Sequence, residues 1–157
     1  MALLLQNETK QITLHPEGGP YPAVLREIRL HEEIETNYGV KDRLQLTFQT
    51  DQKLRDHTEG IEDDRPMTVS VFVNATLSQK GRLMGFITQQ VPTTQLDELL
   101  ADEKDVDIEA LLLGTQWLLI VEHNKSDSNG RIYDNVVNAM KAPPEQQIAV
   151  WDDGEGF

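Results

Sequence analysis

The chain is 157 residues long, 38% hydrophobic and 26% charged, which fits one folded domain and excludes a disordered chain. Without cysteine it has no disulfide framework and no thiolate metal site, so thiol redox chemistry is excluded and a reducing, cytoplasmic setting is expected. Its 14 basic and 27 acidic residues give a net charge of −13, which repels a polyanionic partner unless the acids are gathered away from the contact surface.

They are unevenly placed. Residues 97–109 carry seven acids against Lys104 alone, and 142–157 carry four against no base, which leaves 13 basic and 16 acidic residues elsewhere. In chain order, Met1-Ala2-Leu3-Leu4-Leu5 is apolar but has no basic lead and is too short for a signal core or a membrane span. Residues 1–18 are therefore read as an N-terminal arm or strand of a domain spanning 1–141. Gly18-Gly19-Pro20 and Pro22 break the chain, and 23–30 reads as a strand with Val24, Ile28 and Leu30 on one face. Arg26 interrupts that face, which marks a bulge or a functional polar position. Asn37-Tyr38-Gly39 signals a tight hairpin. Residues 43–50 then alternate, with Leu44, Leu46 and Phe48 inward and Arg43, Gln45, Thr47 and Gln49 outward.

Residues 51–66 are polar and without period, as in a long exposed loop. Residues 67–74 alternate again, and Phe72 falls on their solvent side with Thr68, Ser70 and Asn74. Ser78 is placed to cap a helix through Gln90 with a stripe of Leu83, Phe86 and Ile87, which Gly81 and Gly85 weaken. Residues 96–113 predict one or two short helical turns, with Asp107 as cap and Gly114 as stop. The apolar run within 115–123 predicts a strand covered on both faces, by core and by a helix or another subunit. Residues 126–130 close a second hairpin, and 131–140 form the last strand.

Nothing in the sequence has the pattern of a catalytic apparatus. His15, His31, His57 and His123 are scattered, with no partner at metal-ligand spacing, and no phosphate loop or nucleophile elbow is present. The acidic pairs read as solvated faces rather than as a nuclease site. No catalytic residue, metal or cofactor is assigned.

Binding a single nucleic-acid strand requires stacking platforms and a cationic track. Phe72, Tyr38 and Tyr133 are the candidate platforms, and Arg26, Arg29, Lys41, Arg43, Lys80, Arg82, Lys125 and Arg131 the candidate cations; Trp117 is read as core. For each the plain alternative is packing or surface salt bridging. At the end, Ala142-Pro143-Pro144-Glu145-Gln146-Gln147 is a spacer, so 142–157 is read as a flexible acidic tail. In it Trp151, Asp152, Asp153, Glu155 and Phe157 form a short linear ligand for a partner protein. The alternative is a solubilising end, or a Trp151 that packs back on the domain.

Three strands, a helical segment and two strands follow the plan of the OB-fold, a five-stranded, partly open Greek-key barrel, with a β-sandwich as the alternative. Pro20-Tyr21-Pro22-Ala23-Val24, Ser78-Gln79-Lys80-Gly81-Arg82-Leu83, Gly130-Arg131-Ile132-Tyr133 and the acidic tail ending in Phe157 resemble the OB-fold single-stranded DNA-binding proteins of phages and prophages. The resemblance implies single-stranded DNA binding without strong sequence preference in phage DNA replication or recombination, in the cytoplasm of a bacterial host, with the tail recruiting replication or recombination proteins. Gly156 stands where bacterial members usually carry proline. Two other readings are a phage assembly module with an OB-like barrel, in which Phe72 and the apolar strand make a homo-oligomer, and an acidic DNA mimic.

Overall fold

The computed structural model describes residues 13–36, 39–77, 81–101, 106–126 and 130–151. Its elements in chain order are strands β1 (Gly18–Thr36), β2 (Gly39–Lys53) and β3 (Pro66–Asn74), helices α1 (Arg82–Gln90), α2 (Thr93–Ala101) and α3 (Ile108–Leu112), and strands β4 (Gln116–Lys125) and β5 (Ile132–Lys141). Single 3-10 turns lie at Leu54–Asp56 and Pro144–Gln146. The strands form one antiparallel sheet in the order β3-β2-β1-β4-β5.

Period-two patterning builds the sheet as expected. Leu44, Leu46 and Phe48 of β2 and Met67, Val69, Val71 and Val73 of β3 are buried, while Thr68, Phe72 and Asn74 are exposed. Opposite residues of an antiparallel pair share a face, so register shows which side each residue takes. Leu25 opposes Phe48, Ile28 opposes Leu46 and Leu30 opposes Leu44, with a register shift between Leu25 and Glu27. Arg26 is therefore a bulge residue, and the bulge moves the inward set: Leu25, Ile28 and Leu30 share the inner face, and Val24 the other.

Helices cover the inner face. Leu83, Met84, Phe86 and Ile87 of α1, with Leu96 and Leu112, join Ala23, Leu46, Trp117 and Leu119 in one core. Trp117 is the aromatic centre, edge-on to Phe48 at 5.9 Å and to Phe86 at 5.4 Å. Asp107 caps α3 by accepting from the Ala110 N–H at 3.1 Å, as its position predicts. Helix α1 starts three residues later than expected, with Gly81 as N-cap, and Ser78 lies outside the described residues.

The barrel is not formed. Strands β3 and β5 end the strand order, and among the described residues no hydrogen-bonded ladder joins them, although a few of their residues approach one another. An OB-fold requires a sheet that curls round on itself; this one is an open five-stranded sheet with helices on one face. Part of the expected tail meets the sheet: Ala142 is buried and donates to the Gln116 carbonyl at 3.0 Å, and Ile148, Ala149 and Trp151 are hydrogen-bonded to strand side chains, while residues 152–157 lie outside the described residues. No helix among the described residues is long and apolar enough to cross a membrane.

Candidate functional site

On the outer face, away from the helices, Gln116 of β4 opposes Val24 of β1, Val24 opposes Gln49 of β2, and Gln49 opposes Thr68 of β3. These side chains form one row across four strands. Residues 148–151 lie along it. The Gln116 carboxamide donates to the Ile148 carbonyl at 2.8 Å and accepts from the Ile148 N–H at 2.9 Å. The Gln49 carboxamide donates to the Ala149 carbonyl at 2.9 Å and accepts from the Trp151 N–H at 2.8 Å. Neighbouring strands stand about 4.8 Å apart, and three extended residues reach about 10 Å, so an extended segment crossing at right angles matches the two gaps from β4 to β2.

Packing agrees with this crossing. Val24 points outward yet is 1% exposed, and it stands between the two clamping glutamines. A carboxamide offers one donor and one acceptor side by side, the complement of a peptide's own N–H and C=O. The clamp therefore reads main chain, whatever side chains that chain carries. Beside Val150 a cleft of about 660 Å³ opens where β1 runs past the start of β4, with Arg26, Glu27, Ile28, Thr47, Glu109 and Leu113 among its walls.

Farther along the same face, Phe72 is 44% exposed, with the Arg43 guanidinium 5.6 Å from its ring centre and the His31 ring at 5.9 Å. A hydrogen-bond chain fixes the surroundings: His31 Nε2 donates to Gln45 Oε1 at 2.8 Å, and Gln45 Nε2 donates to Ser70 Oγ at 3.0 Å. Arg43 Nη2 donates to the Phe72 carbonyl at 3.3 Å, while its buried Nε has no partner among the described residues.

Of the nucleic-acid candidates, the structure brings Arg43 and Phe72 together and scatters others. Arg26 is at the bulge, and Lys41 is exposed on β2. Arg82 starts α1, donating to the Val136 carbonyl at 3.2 Å and standing 5.9 Å from the Phe86 ring centre. Lys125, Arg131 and Tyr133 sit at the β4–β5 hairpin, where Asn124 opposes Tyr133 and Lys125 opposes Ile132. Several other cations are neutralised in place: Arg29 by Glu27 at 2.8 Å, Arg55 by Asp64 at 2.7 Å and Arg65 by Asp63 at 2.7 Å. Tyr38, Lys80, Asp152, Asp153, Glu155 and Phe157 lie outside the described residues, and Trp151 is half-buried beside the clamp.

Sequence reasoning missed Gln49 and Gln116 as site residues, because an outward glutamine on a strand reads as a solvated one. The apolar triplet Ile148-Ala149-Val150 in an otherwise polar stretch was the available signal that this stretch docks.

No known protein family matches the chain, and no curated protein matches its sequence. The resemblance to the OB-fold single-stranded DNA-binding proteins is therefore corrected: the sheet is open, and no relative supports the likeness. Single-stranded DNA binding in phage replication or recombination falls with it. The assembly-module and DNA-mimic readings gain no support from the same findings.

Proposed function

We propose that this protein is a non-catalytic interaction module that binds an extended segment of a partner protein across the outer face of its sheet. Residues 148–151 hold that place in the free molecule. One observation carries the reading: Gln116 and Gln49 pair with the main chain of Ile148, Ala149 and Trp151 through four hydrogen bonds of 2.8–2.9 Å. Main-chain pairing with side-chain pockets beside it is how folded domains commonly take extended peptides. The Phe72 patch on the same face gives a partner a second contact.

A fluorescein-labelled peptide Gln-Gln-Ile-Ala-Val-Trp, copied from residues 146–151, tests this by anisotropy with the full chain. The chain's own segment competes at an effective concentration in the mM range. Weakening it with Trp151→Ala should therefore tighten peptide binding by about tenfold or more. Adding Gln49→Ala and Gln116→Ala should abolish that binding. A Trp151→Ala chain that shows no saturable binding up to about 1 mM peptide would overturn the reading.

A further inference from the structure

The groove is filled unevenly by its own occupant. Val150 is 44% exposed although it borders a cleft of about 660 Å³, far more space than a valine side chain occupies. Ile28 and Leu113 supply apolar wall, and Leu113 itself is 39% exposed. Glu27 and Glu109 supply carboxylates; Glu27 already meets Arg29 at 2.8 Å, whereas Glu109, exposed on α3, has no ion-pair partner among the described residues. Arg26, the cationic member of the lining, is engaged in interactions of its own.

An apolar wall leading to a carboxylate suits a long aliphatic stem with a cationic head, the chemistry of arginine and lysine. The net charge of −13 acts in the same direction, since it draws cationic segments and repels acidic ones. Resting on the peptide-binding reading, we infer that the partner segment carries an arginine or lysine at the place taken by Val150, with its stem along Ile28 and Leu113 and its head at Glu109. The chain's own valine leaves that contact unmade. The internal segment is thus a weak occupant, which a basic partner segment displaces.

Hydrogen exchange of the Trp151 amide tests the inference on the full chain, because that N–H is held by Gln49 and exchanges only when the segment lifts. In Val150→Arg the protection factor should rise by roughly twofold to fivefold, the effect of one partly exposed ion pair. Val150→Met should rise less, Val150→Glu should fall below the native chain, and Glu109→Gln should cancel the arginine gain. Equal protection in the Arg and Met variants means that the cleft reads length alone and overturns the inference, as does a gain that survives Glu109→Gln. An unprotected Trp151 amide in the native chain is a different failure: the segment is then not docked, and the peptide-binding reading itself falls.

Discussion

His15 is wholly buried, yet every polar atom near it is used. Its Nδ1 donates to Asp134 at 2.7 Å, its Nε2 lies 2.6 Å from the Thr50 hydroxyl, and its carbonyl accepts from His123 Nε2 at 2.6 Å. Carboxylate, imidazole and hydroxyl stand here in the order of a hydrolase relay, but Thr50 is 1% exposed and its hydroxyl lies 3.4 Å from the Met67 carbonyl. The arrangement ties the segment before β1 to β2, β4 and β5. Tyr21 closes it from outside, donating to the Pro16 carbonyl at 2.5 Å, and burial first, then Asp134 and Asp51, push its phenol above the ordinary range. His15→Ala leaves Asp134 without its imidazole partner in a nearly dry site and should cost about 2–4 kcal/mol. Urea unfolding measures this, and a loss under about 1 kcal/mol would show that the tie holds little.

At the scale of elements, what could be read in the sequence was what depends on local period. The alternation of 43–50 and 67–74 located β2 and β3 with their inward sets, and Arg26 marked the β1 bulge because it broke an apolar face. Barrel closure was not legible: three strands, a helical segment and two strands occur whether or not β3 and β5 pair, and that pairing depends on contacts far apart in the chain. The clamp was hidden for the same reason, since Gln49 meets Trp151 across 102 positions. Glycines divide likewise. Gly85 lies in α1 with nothing within 4 Å of an added Cβ, so Gly85→Ala should stabilise by roughly 0.5–1 kcal/mol. Gly19, at φ +116°, would place a Cβ 2.6 Å from the Leu119 carbonyl oxygen and 2.9 Å from the Tyr21 nitrogen, both main-chain atoms. Gly19→Ala should therefore destabilise by about 2 kcal/mol or more. Thermal melts of the pair decide it; like effects in both would show that the close approach of β1 to β4 tolerates a side chain.

The whole molecule is governed by its excess of carboxylates. At neutral pH a net charge of −13 opposes compaction, while the exposed surface pairs Arg29–Glu27, Arg55–Asp64, Lys53–Asp64 and Arg65–Asp63 favour it only weakly. Salt screens both, and at pH 7 the net repulsion is the larger. Raising NaCl from about 0.02 to 0.5 M should then raise Tm by about 2–4 °C. At pH 4.6, the isoelectric point of the sequence, the net repulsion is gone and only the pairs remain to be screened. Arg65 holds the Asp63 carboxyl below the usual carboxylate range, so this pair's contribution is present above the ordinary aspartate value and lost only as pH falls through the lower folded one. The pair thus survives at pH 4.6, and salt added there should leave Tm unchanged or lower it. A salt response of the same positive sign at both pH values would mean that general salting-out, and not the excess of carboxylates, sets the stability of this fold.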